Sequence, residues 1–303
     1  MKRILMVLIT GILMVTEIFA HGNSIGRKFE SKNYPVLASK KYSRIASMTL
    51  GGDEMILSLV SPDRIVGLSG KINKDREVSN VPDTSKGFPE IEGNIEVVMD
   101  LDPDLIITAD WVKREFLMQL EDIGVDTYIY HTPNSWEEQI DVICELAHLV
   151  RADRRGEQIV NDMEDRLLAL QAKIRENYHG EKPNILLYTS METTNGKNTL
   201  FDSIAHCILS NNIAADEGIT GYTKISKEKI IEMNPDIIVV PLWNKHPDNE
   251  KFISFIKNDK SFQEVKAVKE GKVYAIPYRY ISTTSQYMID GVEKLAEKIY
   301  GLK

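Results

Sequence analysis

The amino-acid sequence predicts an α/β fold in which two lobes, each built on a parallel sheet, are joined by one long helix. From Ser43 onward, apolar runs of strand length alternate with segments of helical periodicity, which is the pattern of parallel sheets with crossover helices. A long middle stretch lacks strand runs and separates two such alternating regions. One segment before this stretch and one after it also share a series of landmark residues, so the two regions are predicted to be related lobes.

Seven apolar runs are predicted to be strands. They are RIASM, RIVGLS, DLIITA and TYIYH in the first region, and NILLYTS, DIIVVPL and KVYAIPY in the second. Most of them lack polar–apolar alternation, as expected for strands that are buried on both faces of a parallel sheet. Segments between them, such as EFLMQLEDIG and KEKIIEMN, have helical spacing, and Gly124 is a stop signal for the first of these.

The middle stretch predicts a single connecting helix from Asp153, as its N-cap, to about Tyr178. Its apolar residues follow a spacing that places them in one stripe: Val160, Met163, Leu167, Leu170 and Ile174. Gly180 and Pro183 then stop the helix. The predicted organisation is a signal peptide over 1–20, a polar leader over 21–42, an N-terminal lobe over 43–152, the connecting helix over 153–179 and a C-terminal lobe over 180–303.

The amino terminus predicts export. Lys2 and Arg3 precede an apolar run, Ile4 to Val15, that is too short for a comfortable membrane span, and Ala20 stands where a signal peptidase would cut. An uncleaved anchor or a buried helix is the alternative interpretation. No Cys follows the run, so we expect no lipid anchor and a mature chain that is exported.

Composition limits the partners. The 303 residues are 43% hydrophobic and 27% charged, with a formal net charge of −8 and no basic tract, so we expect no binding to nucleic acid or to an anionic membrane surface. The two cysteines, Cys144 and Cys207, have no CxxC spacing and lie in apolar helical stretches, which predicts two free buried thiols. We expect the exported chain to be a monomer.

Two segments, one in each lobe, share their landmarks. They are NIEVVMDLDPDLIITADWVK (94–113) and SKEKIIEMNPDIIVVPLWNK (226–245). Each opens with a residue type that caps helices, and then has a Glu, a Pro-Asp pair, an apolar strand core, a Trp and a Lys, all at one constant separation along the chain. Agreement at so many chemically distinct positions predicts a repeated unit of a short helix, a Pro-Asp turn and a parallel strand.

The strand of each repeated unit delivers a Trp and a Lys at its carboxyl end, which is where ligands bind in open α/β sheets. Trp111 and Lys113 would line a cleft between the lobes from one side, and Trp243 and Lys245 from the other. Indole rings suit a large flat apolar ligand, and ammonium groups suit acidic groups on it. The alternative is that each Trp packs under its own loop and each Lys is solvated.

The repeated glutamates are Glu96 and Glu228. A carboxylate in the first turn of a helix interacts favourably with the helix dipole, typically by about 0.3–1 kcal/mol. The dipole explains one such glutamate, but it does not explain why both lobes have theirs at the same distance from a strand that reaches the cleft.

These segments resemble the periplasmic substrate-binding proteins of ABC importers for ferric siderophores, haem and cobalamin, the group with a single connecting helix. RIASMTLGGDEMILSLVSPDRIVGLSG is similar to the family's first strand, helix and second strand. EGNIEVVMDLDPDLII, LEDIGVDTYIY, YTKISKEKIIEMNPDIIVV and AVKEGKVYAIP are similar to its other recurring segments. The likeness spans residues 43–300 and implies two Rossmann-like lobes with a ligand cleft between them.

The resemblance also implies a function and partners. The chain would capture a metal chelate, either a ferric siderophore or a haem-like molecule, and deliver it to a dimeric ABC permease that carries a cytoplasmic ATPase. Cobalamin is the alternative ligand of the same family. Glu96 and Glu228 correspond to the two family glutamates, one on each lobe, that dock onto permease arginines. No cofactor of its own is implied, because the ferric chelate, tetrapyrrole or corrinoid is the cargo. The missing lipid-anchoring Cys departs from the family's common pattern in single-membrane bacteria and favours a free periplasmic protein in a cell with two membranes.

The residues expected to bind the ligand combine aromatic rings, cations and small polar groups. They are Thr49, Trp111, Lys113, Arg114, Asn198, Thr199, Trp243, Lys245, Tyr278, Arg279 and Tyr280. This mixture fits an acidic iron chelate slightly better than cobalamin. Tyr278, Tyr280 and His246 are of types that can ligate haem iron, but a surface role is expected for His246 and no residue is assigned as a metal ligand.

Other classes of protein have less support. An enzyme would need an assembled catalytic motif, but GxSxG and HExxH are absent and NGKNT (195–199) is an incomplete phosphate-binding loop, so no catalytic residue is expected. A bare Zn or Mn importer would gather histidines and carboxylates, whereas the six histidines are scattered along the chain. A module that binds another protein is the remaining alternative.

Overall fold

The computed structural model describes residues 34–242 and 247–302. The predicted signal peptide (1–20) and the candidate residues Trp243, Lys245 and His246 lie outside these described residues. Within the described ranges, no helix is both long enough and apolar enough to cross a membrane.

The last part of the predicted leader is not a loose segment. Residues Tyr34–Ser39 form a first short helix, α1. Leu37 is buried against the N-terminal lobe, and the Tyr34 hydroxyl donates a hydrogen bond of 2.9 Å to the carbonyl oxygen of Glu145. One buried leucine and one anchored tyrosine therefore attach this helix to the lobe, which the polar sequence around it did not indicate.

The N-terminal lobe is built on four parallel strands. They are β1 (Ile45–Ser47), β2 (Ile65–Gly67), β3 (Leu105–Ala109) and β4 (Asp126–Tyr130), in the order β2-β1-β3-β4. The helices around them are α2 (Leu50–Leu59), α3 (Ile95–Leu101), α4 (Arg114–Asp122) and α5 (Trp136–Leu149). Every residue of β1 and β3 is buried, which explains why these strands are largely apolar and lack polar–apolar alternation.

The C-terminal lobe has a second four-stranded parallel sheet. Its strands are β5 (Asn184–Leu187), β7 (Asn211–Asn212), β9 (Ile237–Leu242) and β10 (Val273–Pro277), in the order β10-β9-β5-β7. A separate antiparallel ribbon pairs β6 (Thr193–Asn195) with β8 (Tyr222–Lys224). The helices are α7 (Leu200–Cys207), α8 (Ile213–Asp216), α9 (Lys227–Met233), α10 (Pro247–Asn258), α11 (Lys266–Lys269) and α12 (Met288–Tyr300).

All seven runs predicted as strands are strands, and the parallel two-lobed α/β prediction is confirmed. The prediction missed β6, β7 and β8. These are two or three residues long and polar in sequence, so they carry neither an apolar run nor enough residues to show alternation.

The connecting helix α6 spans Asp153–Asn177. The N-cap position belongs to Ala152 and not to Asp153 as predicted, because the Asp153 carboxylate instead accepts a hydrogen bond of 2.7 Å from His148 Nδ1. Halfway along the helix, the Arg166 guanidinium forms ion pairs with Asp290 and Glu293 of α12. The connecting helix is thus attached to α12 at its middle as well as joining the lobes at its ends.

The repeated units have the same local structure. Asn94 caps α3 by accepting from the backbone N–H of Glu96, and Ser226 caps α9 by accepting from the N–H of Lys229. Both helices end on a residue in the left-handed conformation, with φ of 44° at Asp102 and 48° at Asn234. Asp and Asn tolerate this conformation better than other residues that carry a Cβ.

The aspartate of each Pro-Asp pair ties its unit to the central strand of its own sheet. Asp104 accepts hydrogen bonds from the backbone N–H groups of Ser43 and Arg44, directly before β1. Asp236 accepts from the N–H of Asn184, the first residue of β5. The same side chain therefore fixes the same register in both lobes, which accounts for the repeated Pro-Asp in the sequence.

One apolar core runs through both lobes. It includes Ile45 and Leu105 of the first sheet, Ile174 of the connecting helix, and Ile185 and Val239 of the second sheet. Within a core of this kind, side chains pack at a density that resists rearrangement. The lobes are consequently joined by packing as well as by the helix.

Of the two cysteines, both free thiols as predicted, only Cys207 is buried. Cys144 lies on the exposed face of α5, and the prediction of two buried thiols is wrong for it. The apolar neighbours of Cys144 in the sequence lie on the opposite, buried face of the helix: Val142, Ile143, Leu146 and Ala147.

Candidate functional site

A cleft of about 300 Å³ lies between the two lobes. The carboxyl ends of β1, β3 and β4 lead into it from the N-terminal lobe, and the ribbon β6–β8 and the segment after β10 close it from the C-terminal lobe. This is the edge of a parallel sheet at which ligands bind. Its volume is at the low end of the range for small-molecule sites, about 300–1,000 Å³.

Four aromatic side chains line the described part of the cleft, namely Trp111, Tyr130, Tyr222 and Tyr278. Trp111 directly follows the end of β3 and is 66% exposed, and Tyr222, in the ribbon of the opposite lobe, is 69% exposed. Exposed apolar surface that is gathered at a cleft, rather than scattered singly, is typical of a ligand-binding groove. The mouth of the cleft therefore presents one exposed ring from each lobe.

The floor of the cleft is built on the first turn of α2. Thr49 caps this helix and is 3% exposed, and its hydroxyl forms a hydrogen bond of 2.7 Å with the Tyr130 hydroxyl. Gly51 follows in the first turn, where a Cβ would lie 2.5 Å from Thr284 Oγ1 and 2.7 Å from the Thr284 carbonyl oxygen. Only glycine lets the helix approach the C-terminal lobe this closely.

Glu54 is a buried carboxyl beneath the cleft. It is 1% exposed, and its Oε1 accepts hydrogen bonds from the backbone N–H and the side-chain Nδ2 of Asn80, at 2.9 and 3.0 Å. Its Oε2 accepts from the Ser285 hydroxyl at 2.5 Å. Burial raises the pKa of Glu54, although the donated hydrogen bonds oppose that shift. Glu54 links a loop of one lobe to a loop of the other.

Asp53, the residue before it, is a second buried carboxyl and is 0% exposed. It accepts hydrogen bonds from the Ser69 backbone N–H and hydroxyl and from Asn73 Nδ2. Burial raises the pKa of Asp53 to about 7, against the lowering effect of these donors. The segment that Asp53 holds carries Ile72 into the cleft wall.

Arg279 is the cation among the described residues that line the cleft. Its guanidinium lies 4.7 Å from the centroid of the Tyr280 ring and donates to the Tyr280 hydroxyl at 3.2 Å. No carboxylate of the described part of the chain pairs with it. Tyr280 itself faces a neighbouring cavity of about 410 Å³, which Arg279 also lines.

The predicted site residues divide between several places. Thr49, Trp111, Tyr278 and Arg279 lie together in the cleft. Lys113 and Arg114 are exposed at the start of α4 and do not line the cleft. Lys113 occupies the N-cap position of that helix.

Asn198 and Thr199 line a different cavity, of about 420 Å³, between α5, the connecting helix and α7. Asn198 has a left-handed backbone, with φ of 63°, and is exposed. Thr199 is fully buried and caps α7, accepting from the N–H of Asp202 and donating to the carbonyl oxygen of Gly196 at 2.7 Å. A capping role accounts for Thr199 without a ligand.

Glu96 and Glu228 are exposed in the first turns of α3 and α9. The pKa of Glu228 lies below its ordinary value because its own backbone N–H and the Ser226 hydroxyl donate to the carboxylate. Neither glutamate forms an ion pair with any residue that the structure describes. Both carboxylates are therefore available to a partner.

Within the described ranges, no three His, Cys, Asp or Glu side chains come together as a metal site. A ligand in the described part of the cleft would contact aromatic rings, hydroxyl groups and the guanidinium of Arg279. The sequence reasoning missed Asn195 and Tyr222, which line the cleft from the ribbon, and Glu54. Asn195 and Tyr222 belong to no recognisable sequence pattern. Glu54 could have been noticed, because two adjacent acidic residues, Asp53 and Glu54, open a predicted helix that is otherwise apolar.

The periplasmic binding protein family matches residues 45–280 of this chain. An uncharacterised ABC transporter substrate-binding lipoprotein of Bacillus subtilis (strain 168) is 26% identical over 277 residues, covering 89% of this chain and 84% of the relative. A cobalamin-binding protein of Halobacterium salinarum (strain ATCC 29341 / DSM 671 / R1) is 20% identical and covers 89% and 73%.

Among solved structures, a possible iron-binding periplasmic solute-binding protein of Staphylococcus epidermidis superposes with a TM-score of 0.75 at 24% identity, covering 86% of this chain and 100% of the other. At this identity, the structural similarity concerns the fold.

Proposed function

Because this chain belongs to the periplasmic binding protein family, we propose that it is an extracytoplasmic solute-binding protein that captures a metal chelate and delivers it to an ABC permease. The chelate is a ferric siderophore or a haem-like molecule. The partner is a permease dimer driven by a cytoplasmic ATPase, and the chain acts as an exported monomer that binds its cargo without converting it.

The aromatic cleft between the lobes is the observation on which this proposal rests. Trp111 and Tyr222 extend from opposite lobes into the mouth, and Arg279 lies between the lobes without a carboxylate partner among the described residues. Rings on two sides suit a ligand with broad apolar faces, and an unpaired guanidinium suits an acidic group on it. A large chelate would fill the cavity and extend into the mouth.

Cobalamin is the second candidate ligand. The described cleft carries four aromatic rings but a single cation, since Lys113 and Arg114 lie outside it. A corrinoid needs fewer cations than a polyanionic iron chelate, and a relative of this chain is a cobalamin-binding protein. A bare Zn or Mn ion is a weaker candidate, because the described residues offer no cluster of metal ligands.

Glu96 and Glu228 are proposed to dock the protein onto the permease. Each lies in the first turn of a helix that leads through a tight turn into a parallel strand, and such a helix runs antiparallel to its strand. Its first turn therefore lies toward the carboxyl edge of the sheet, where the cleft opens. Two exposed carboxylates on related helices can meet two related permease subunits at once.

The exported form is proposed to begin after Ala20. The proposed organisation is an N-terminal lobe over 43–152 and a C-terminal lobe over 180–303, with the helix between them as the connection. The remaining cleft candidates, Trp243 and Lys245, are proposed to face the ligand at the end of β9 as Trp111 does at the end of β3.

The test is a set of equilibrium titrations of the purified mature protein, followed by absorbance and intrinsic fluorescence. The probes are haemin, a ferric catecholate, a ferric hydroxamate, ferric citrate, cyanocobalamin, molybdate and Zn²⁺. One iron chelate or haemin should bind at one site per chain and be recovered unchanged. Tight binding of cyanocobalamin alone would select the second candidate, and binding of Zn²⁺ or molybdate alone would overturn the chelate proposal.

A further inference from the structure

The carboxylate of Asp110 connects two loops at the mouth of the cleft. Asp110 is the residue between β3 and Trp111. Its Oδ2 accepts a hydrogen bond of 2.6 Å from His131 Nδ1, and its Oδ1 accepts one of 2.7 Å from the Thr132 hydroxyl. An ionised carboxylate only accepts hydrogen bonds, so the His131 ring carries its proton on Nδ1.

Both connected loops line the cleft. The loop after β3 contributes Trp111, and the loop after β4 contributes Thr132 and Pro133. The strands themselves end here, since the last backbone hydrogen bond between the two loops runs from the N–H of Asp110 to the carbonyl oxygen of Tyr130 at 3.1 Å. Beyond that bond, the Asp110 side chain is what keeps the two loops in register.

The Trp111 ring itself makes few contacts with the described residues. It is 66% exposed, and within the described residues its indole forms no hydrogen bond and no ring contact. The backbone around Trp111 forms a turn in which the N–H of Val112 donates to the carbonyl oxygen of Ala109 at 3.2 Å. The orientation of the ring toward the cleft therefore depends on how firmly Asp110 is fixed.

We propose that Asp110 is a positioning residue for ligand binding, whose bonds to His131 and Thr132 fix the loop that presents Trp111 at the mouth of the cleft. Asp110 acts through Trp111 and does not itself line the cleft. A ring that is already in place loses less freedom when a ligand stacks on it, so the bonded carboxylate raises affinity by preorganisation. This proposal rests on the proposed ligand-binding function.

Three variants test the role. Asp110→Ala removes both bonds. Asp110→Asn keeps an acceptor for Thr132 and offers an amide donor to the other tautomer of His131, so it should behave as the wild type. Asp126→Ala is the matched control, because Asp126 is also a bonded carboxylate, held by Lys40 and Tyr42, but it lies at the amino end of β4, away from the cleft.

The first measurement needs no ligand. In a Trp243→Phe background the two remaining tryptophans are Trp111, which is exposed, and Trp136, which is 7% exposed and serves as an internal reference. Acrylamide quenching and time-resolved anisotropy should show a more mobile exposed ring in Asp110→Ala and no change in Asp110→Asn or Asp126→Ala. An unchanged anisotropy decay in Asp110→Ala would overturn the proposal.

The second measurement is a double-mutant cycle with haemin and cyanocobalamin as probes. Asp110→Ala should weaken binding roughly twofold to tenfold, and this loss should vanish in a Trp111→Ala background. The same loss in both backgrounds would show that Asp110 does not act through Trp111. If neither probe binds the wild type, haem-like molecules and cobalamin are excluded as ligands, while the fluorescence measurement still decides the positioning role.

Discussion

The carboxylate of Glu54 and the hydroxyl of Ser285 form a hydrogen bond of 2.5 Å across the boundary between the lobes. Around this bond, Asn80 Nδ2 donates to Thr283 Oγ1 at 2.9 Å, and Gln286 Nε2 donates to the Glu54 carbonyl oxygen at 2.8 Å. These contacts form a polar seam, defined by Glu54, Asn80 and residues 283–286, directly beneath the cleft. The seam makes the floor of the cleft a fixed surface shared by both lobes.

Removing the Glu54 side chain should destabilise the fold far more than removing its charge. In Glu54→Ala, the donors of half-buried Asn80 and buried Ser285 lose their acceptor, at about 1–3 kcal/mol for each buried group left unsatisfied. Glu54→Gln keeps an acceptor for Asn80 and should cost less than about 1.5 kcal/mol, the net contribution of one typical hydrogen bond. Urea unfolding measures both, with the exposed Glu121→Ala as control. Equal stability of the Ala and Gln variants would contradict the seam.

Asp53 should make the protein less stable as the pH rises. Its folded pKa, raised by burial to about 7, lies above the ordinary value of 3.8, so the folded state holds the proton more tightly than the unfolded state. The contribution of Asp53 to stability is complete below about pH 4 and is lost as the pH rises through 7. Unfolding free energies between pH 4 and 8.5 should show this fall, and Asp53→Asn should reduce it. Identical pH dependence in the wild type and Asp53→Asn would show that the Asp53 pKa is not raised.

The lobes should close little when a ligand binds. Bending α6 would break backbone hydrogen bonds, its Arg166 is paired with Asp290 and Glu293 of α12, and the polar seam joins the lobes on the floor of the cleft. Small-angle X-ray scattering curves of the free and ligand-saturated protein should nearly superimpose. A clear decrease in the radius of gyration would mean that the seam and the helix do not restrain the lobes.

Replacing Glu96 and Glu228 by Ala together should leave ligand affinity unchanged and sharply reduce uptake. Charge pairs at an interface steer association and fix register, and loss of one member of a buried pair costs about 2–5 kcal/mol. Arg at both positions should be worse than Ala. Asp100→Ala with Glu232→Ala is the matched control, since these exposed acids lie in the same two helices, one turn further on. Normal uptake by the Glu96→Ala/Glu228→Ala variant would contradict the docking role, and the interaction with the helix dipole would then be the only role of these glutamates.

The sequence predicted the parts of the fold that depend on local pattern. The buried strands appear as apolar runs because β1 and β3 are covered on both faces. The Pro-Asp pair is repeated because Asp104 and Asp236 accept equivalent backbone hydrogen bonds in the two lobes. The predicted start of the connecting helix was wrong by one residue, because the Asp153 carboxylate is hydrogen-bonded to His148 and does not cap the helix.

The cleft was harder to predict because it is assembled from loops of both lobes. Tyr222 and Asn195 come from a ribbon of three-residue polar strands, which have no signature in the sequence. Lys113 follows Trp111 by two positions, but α4 begins directly after it, so its side chain is exposed outside the cleft wall. The partners of Glu54 lie far along the chain, and only tertiary packing brings them together.

Arg279 in the cleft should contribute less to ligand affinity than the rings do, and Lys113, outside the cleft, less still. Arg279→Ala should weaken binding of an acidic chelate, whereas Lys113→Ala should have a small effect that is visible mainly at low salt, because exposed charges are screened. Titrations with the same probe at low and high ionic strength measure the difference. A large, salt-independent loss of affinity in Lys113→Ala would show that Lys113 contacts the ligand.

The most direct measurement is the affinity of the mature protein for the proposed chelate after the side chain of each ring at the mouth is removed. We expect one binding site per chain, and binding weaker by about 1–3 kcal/mol in Trp111→Ala and in Tyr222→Ala. Binding should be unchanged in Met118→Ala, since Met118 is an exposed apolar residue away from the cleft. Isothermal calorimetry with haemin or the ferric chelate that binds gives both the stoichiometry and the affinity. Unchanged affinity in both ring variants would contradict a ligand held between the lobes by this cleft.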